Sequence, residues 1–273
     1  MEIIAVVLFV VGYLAIAFEH PLKINKTATA LITGVLVWVV IALFKSHEGL
    51  ESLSHHLSSS AEILFFLMGA MTIVELVDAH QGFRVISKVI QTDNPVKLLW
   101  ISAIATFFLS ALLDNLTTAI VMITLLRKLI SDKETRLFYA GLVIIAANAG
   151  GAWSPIGDVT TTMLWIGGQI SATGIMKALL IPSIISLIIP LLFVSSKVKK
   201  MNLGAAMAEN QLSVKEEKEG DIMLLAGSLS LIGVPIFKTI THLPPYMGIL
   251  LALGIVWVIS EILHADKDEE ARK

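Results

Sequence analysis

Two polar clusters break up otherwise apolar sequence, and they constrain this chain more than any other feature. The first is Ser110-Ala111-Leu112-Leu113-Asp114-Asn115-Leu116-Thr117-Thr118. The second is Asn148-Ala149-Gly150-Gly151-Ala152-Trp153-Ser154-Pro155-Ile156-Gly157-Asp158-Val159-Thr160-Thr161. A carboxylate at the centre of a bilayer costs about 2.5 to 3.5 kcal/mol even on lenient insertion scales, so such residues sit where they have a task. Here two aspartates recur, each beside hydroxyls and side-chain amides, and the second cluster adds Gly and Pro. Gly150, Gly151, Ser154, Pro155 and Gly157 mark a helix break, and irregular backbone at membrane depth survives only where it lines a protein cavity or a wet site. The bland alternative is a kinked helix whose polar groups bond to one another.

The membrane setting follows from composition. The 273 residues are 56% hydrophobic and 15% charged, against about 25% charged in a soluble domain. The apolar runs are continuous rather than alternating, which argues against an outer-membrane β-barrel and predicts an all-α polytopic membrane protein. The net charge of −2 says nothing about nucleic acid, there is no basic arm, and no nucleic acid is expected as a partner. The absence of cysteine removes disulfides, thiolate metal sites and cysteine catalysis. No cofactor is expected. The first apolar run lacks a basic n-region and a small-residue cleavage site, so it reads as a retained span rather than a signal peptide.

Apolar runs fall near 3–18, 28–44, 61–79, 97–113, 116–130, 137–148, 160–170, 179–195, 221–237 and 246–263. A crossing needs about 20 residues. Runs 97–113 and 116–130 together are too long for one crossing, which predicts a tight or re-entrant hairpin over 97–130 with Asp114 near its tip. Runs 137–148 and 160–170 read as two half-spans of one broken helix, 137–170. Residues 1–195 then hold the hairpin and the broken helix, 196–220 a polar cytoplasmic linker, 221–264 two further spans, and 265–273 a charged tail. With the N-terminus outside, seventeen of the twenty lysines and arginines fall on the inner side, as the positive-inside rule requires. The expected location is a bacterial inner membrane, with the basic loops and the tail in the cytoplasm.

The paired clusters resemble those of the NhaD-type sodium/proton antiporters, within the wider ion-transporter superfamily that includes arsenite pumps and citrate and dicarboxylate carriers. The resemblance rests on Ser110-x-x-x-Asp114-Asn115-x-Thr117-Thr118-Ala119 and Gly150-Gly151-x-x-Ser154-Pro155-Ile156-Gly157-Asp158-x-Thr160-Thr161. It implies two inverted repeats, each with a re-entrant hairpin and a broken helix whose tips meet at the midplane. On this resemblance the chain supplies one such transporter repeat, residues 1–195, and the first spans of an incomplete second one, 221–264. That implies a truncated chain or one piece of a split gene product, with a homodimer of half-sites as the alternative.

The residue types suit a cation. Sodium, or lithium, is a hard ion that takes oxygen ligands. Asp114 and Asp158 offer carboxylates; Asn115 and Asn148 offer amide oxygens; Ser110, Thr117, Thr118, Thr160 and Thr161 offer hydroxyls. A pair of carboxylates can hold protons when sodium leaves and shed them when it binds, so sodium and protons compete for one site. Two aspartates repel an anionic substrate, which makes an anion carrier of the same superfamily the second reading. An intramembrane aspartyl protease is a third, but only a fragment of one of its motifs, Gly157-Asp158, is present. Glu75 and Asp78, three residues apart on one helix face, are candidates for a proton path. His47, His55 and His56, with Glu48 and Glu51, read as a solvated outer loop. Gly12, Gly34 and Gly69 read as close helix contacts.

Overall fold

A computed structural model describes residues 2–44, 46–90, 92–201, 203 and 213–264, excluding the side chains of 46–51 and 87–89. The charged tail 265–273 and most of the linker centre lie outside the described residues. The described chain is helical, in two compact units, Met1–Ala61 and Glu62–Lys273. Its helices are α1 (Glu2–Ala17), α2 (Glu19–Leu22), α3 (Lys26–Phe44), α4 (Ser46–Ala79), α5 (Arg84–Ile90), α6 (Pro95–Leu112), α7 (Asn115–Leu129), α8 (Lys133–Ala152), α9 (Val159–Ile166), α10 (Ala172–Val198), α11 (Val214–Thr241) and α12 (Pro245–Leu263). Six stretches among the described residues are long and apolar enough to cross a membrane: α3, residues 52–79 of α4, α6, α10, α11 and α12. The chain is an integral membrane protein of helical, polytopic type.

In the first unit α1 pairs with α3. Gly12 faces Thr33 so closely that a methyl group there would overlap its side chain, whereas Gly34 looks into open space. Much of the rest of the pair is exposed apolar surface, including Ile3, Phe9, Leu31 and Val35.

The second unit holds the core. Here α6 lies on α8, α7 packs on α8, and α10 covers both α6 and α8, while α11 and α12 form a pair. The buried centre includes Phe66, Ile73, Leu99, Phe107, Met122, Leu126, Tyr139, Val143, Met223 and Ile249. Gly69 of α4 sits against Ile249 of α12, and Trp100 Nε1 donates to Ser195 Oγ at 3.0 Å, tying α6 to α10.

Helix directions follow from three bonds. The Tyr139 hydroxyl, early in α8, donates to Pro95 O at the start of α6 at 2.5 Å. The Ser110 hydroxyl, late in α6, donates to Ala147 O, late in α8, at 2.6 Å. Asn115, at the start of α7, donates to Asn148 of α8 at 3.1 Å. So α6 runs along α8 in the same sense and α7 runs back against it. Together α6 and α7 are a hairpin with Leu113 and Asp114 at the turn, and the basic ends at Lys97 and Arg127 return to one side of the unit.

Three boundaries differ from the sequence expectation. First, α8 is helical through Ala152, so Gly150 and Gly151 lie inside a helix. The break itself is the six residues 153–158. Second, the stretch expected as a histidine-rich loop belongs to α4 from Ser46 onward. The side chains of His47, Glu48 and Glu51 lie outside the described residues; His55 and His56 are exposed, and the His56 ring lies 5.9 Å from that of Trp38. Third, the linker's last residues, Lys215 to Asp221, are the first turns of α11. Ser213 and Glu216 close them with a reciprocal capping box, which satisfies otherwise unpaired backbone donors at the helix start.

Candidate ion site at the hairpin and the helix break

Asp114 and Asp158 occupy the same local position. Each is the residue just before a helix, and each carboxylate takes up a backbone N–H at that helix start. Asp114 Oδ1 accepts from Thr117 N at 2.8 Å and its Oδ2 from the Thr117 hydroxyl at 2.5 Å. Asp158 Oδ1 accepts from Thr160 N at 2.8 Å. A short polar side chain before a helix is the preferred way to satisfy its first free donors. The sequence therefore folds this way locally because Asp-x-x-Thr and Asp-x-Thr start α7 and α9.

One amide joins the two breaks. Asn115 Nδ2 donates to Asp158 Oδ2 at 2.6 Å and to Asn148 Oδ1 at 3.1 Å. Asn148 in turn donates to Ile144 O at 2.8 Å. Asn115 thus uses both its N–H groups, and among the described residues its Oδ1 accepts no hydrogen bond. Two N-terminal helix ends, of α7 and α9, and two C-terminal ends, of α6 and α8, meet around this bond. Helix ends carry partial charges of either sign, which suits a site that must hold a carboxylate and a cation together.

Close backbone approach makes the meeting possible. A methyl group on Gly150 would overlap the Phe107 carbonyl, and one on Gly157 would come within 2.5 Å of Ser110 O. These glycines let α8 and the break press onto α6, which is a different task from interrupting a helix. Trp153 stacks on Phe107 with ring centres 6.1 Å apart.

The expected site residues divide by what their oxygens do. Ser110 spends its hydroxyl on Ala147 O. Thr161 donates to Ser154 O at 3.0 Å and to Asp158 O at 2.9 Å, fastening the break over α9. Thr162, which sequence reasoning passed over, does the same to Pro155 O at 3.1 Å; a run of three threonines after the aspartate was the signal for it. Thr118 is fully buried, yet among the described residues its hydroxyl has no hydrogen-bond partner, an arrangement that costs about 1 to 3 kcal/mol unless something else satisfies it. Asp114, Asn115, Thr117 and Asp158 are half-buried, while Asn148 and Thr160 are exposed. Asp114 borders a mostly apolar cavity of about 110 Å³ together with Phe66, Ile156, Thr162, Leu231 and Ile249. Glu75 and Asp78 are exposed on α4. Asp78 borders a separate polar cavity of about 180 Å³ with Gln81, Arg84, Thr124 and Lys128, and Glu75 does not.

The helical architecture, the hairpin and the broken helix are those of a polytopic membrane protein. The sequence matches the Citrate transporter family (CitMHS) over residues 13–269, and the chain belongs to that family. It is 45% identical over 273 residues to Sodium/proton antiporter 1 of Arabidopsis thaliana, covering 99% of this chain and 47% of that protein. It is 46% identical over 260 residues to Sodium/proton antiporter 2 of the same plant, covering 94% of this chain and 62% of the relative. The Na(+)/H(+) antiporter NhaD of Vibrio cholerae is 30% identical over 258 residues, 92% of this chain and 53% of its own. The chain therefore spans about half to three-fifths of the length of these relatives. Membership in a family of transporters sets the protease reading aside.

Proposed function

We propose that this chain carries the ion-binding half of a secondary transporter that exchanges sodium, or lithium, for protons. The observation that carries this is the Asn115 amide held between Asp158 Oδ2 and Asn148 Oδ1. Rotating that amide by half a turn presents its own oxygen to the same two oxygens. Three oxygen ligands then surround one point, the donor set a hard cation prefers. Asp114, Thr117, Thr118 and Thr160 stand within the same cluster of helix ends as further ligands, while Ser110 and Thr161 shape the site without binding the ion. The relatives are named sodium/proton antiporters, which agrees with this chemistry.

Asn148 and Thr160 are exposed, so the site has an open side. A second repeat of the same kind would cover that side; a second copy of the chain in a homodimer is the alternative. The lysine and arginine distribution supports an orientation with the N-terminus outside and Glu75 and Asp78 toward the inner end of α4, and we assign these two carboxylates to a path for protons.

The family description favours a second reading, a carrier of citrate or a similar anion. Everted membrane vesicles holding the complete gene product separate the two. Sodium added to acidified vesicles should collapse the proton gradient, and citrate without sodium should leave it intact. A gradient that responds to citrate and not to sodium contradicts the antiport reading.

A further inference from the structure

Lys238 lies in the last turn of α11, after the polar linker in the sequence. Its Nζ donates to Trp165 O at 3.1 Å and stands 4.7 Å over the centre of the Trp165 ring. Trp165 is the penultimate residue of α9, and only 2% of its surface is exposed. On its edge it meets Phe66, ring centres 6.1 Å apart, and Phe66 borders the same cavity as Asp114. A lysine ammonium is therefore held at the carbonyl end of the half-helix whose other end is Asp158.

The physics of this contact is favourable three times over. A charged donor on a carbonyl makes a stronger hydrogen bond than a neutral one. A cation at a helix C-terminus meets the negative end of the dipole. An ammonium over an indole face gains a cation–π attraction. Because α9 has eight residues, about 12 Å of helix, fixing its last turn also fixes its first.

We propose that Lys238 is a positioning residue for the ion site: it clamps the C-terminal end of α9 and thereby sets where Asp158 and Thr160 stand, linking α11 to the broken helix. This rests on the sodium reading of that site. Lys238 touches no ion; it acts through Trp165 and the rigidity of α9.

The test uses the purified complete gene product with Lys238→Met and Lys238→Arg. Lys238→Met keeps the length and apolar stem and removes the charged donor; Lys238→Arg keeps both charge and donor. Two readouts are made: hydrogen exchange of the backbone over 159–170, and the sodium concentration that gives half of the sodium-induced rise in thermal stability. Lys238→Met should speed exchange in α9 and raise the half-saturating sodium on the order of tenfold, the scale of one charge-assisted hydrogen bond. Lys238→Arg should restore both. If Lys238→Met does not accumulate, Lys238→Leu, which also has no donor, gives the same comparison. Unchanged exchange overturns the clamp. Faster exchange with unchanged half-saturation makes Lys238 an anchor of the fold and overturns its role at the site. A wild-type protein with no sodium-dependent stabilisation overturns the sodium reading instead, and the clamp is then decided by exchange alone.

Discussion

Three aspartates in this chain do the same local job in two different settings. Asp132 precedes α8 and accepts Thr135 N at 2.8 Å, just as Asp114 serves α7 and Asp158 serves α9. Asp132 is exposed, and its carboxyl lies below the usual range because the Thr135 backbone and then its hydroxyl bond to it. Among the described residues no hydrogen bond from another helix reaches its carboxylate. Asp158, in contrast, is also held by an amide from another helix, and Asp114 borders a cavity among four other helical segments. Capping geometry alone therefore does not mark a site. What marks it is a second contact from another helix that α9 has no local need for.

Removing charge while keeping shape should break the comparison most sharply. Asp114→Asn and Asp158→Asn retain a good capping residue and are cheaper to bury than a carboxylate, so the folded protein should accumulate. Sodium-driven proton movement in vesicles should be lost in both. Vesicles of either variant that respond to sodium like wild type would reduce both residues to the rank of Asp132.

Gly150→Ala probes the approach that brings the breaks together. The added methyl meets the Phe107 backbone, which cannot turn aside, and overpacking of this kind costs about 1 to 3 kcal/mol. A lowered melting temperature is expected, with loss of sodium-dependent stabilisation. An unchanged melting temperature would show that α6 and α8 can part without harm.

Thr160→Ala keeps the backbone N–H that Asp158 accepts and removes only an exposed hydroxyl. Apparent sodium affinity should fall by about 1 kcal/mol, with turnover surviving at high sodium. Complete loss of turnover would mean that this hydroxyl does more than add one neutral ligand.

Asp132→Ala should give the smallest effect, confined to stability. The folded carboxyl is shifted down, so its contribution is present above the unfolded value near about 3.9 and disappears as pH falls through the lower folded value. Wild type and variant should differ slightly at neutral pH and converge in acid, with sodium response unaltered in both. A difference that grows in acid would contradict the sign.

The sequence made the helices and the two breaks legible, because apolar run length sets the spans and Asp with Thr sets the helix starts. The hairpin over 97–130 followed from length alone, since no single crossing could hold it. The glycines were harder. Gly150 and Gly151 look like helix breakers in sequence, but whether a glycine ends a helix or admits a neighbour depends on what lies across from it, here the Phe107 carbonyl. The hydroxyls were hardest. Ser110, Thr118 and Thr161 have similar side chains in similar surroundings, yet one ties two helices, one has no partner among the described residues and one fastens the break. Only the placement of Ala147 O and Ser154 O separates them. Lys238 carried no sequence signal at all, because its partner is 73 residues away.

The central claim is that one cluster of carboxylates holds either sodium or protons. Proton release on sodium binding tests it without turnover. In weakly buffered solution with a pH-sensitive dye, sodium added to the purified complete gene product should acidify the medium in proportion to the sodium bound. Asp158→Asn should release fewer protons, and apparent sodium affinity should rise with pH. Sodium that binds with the same affinity at every pH and releases no protons would contradict the account.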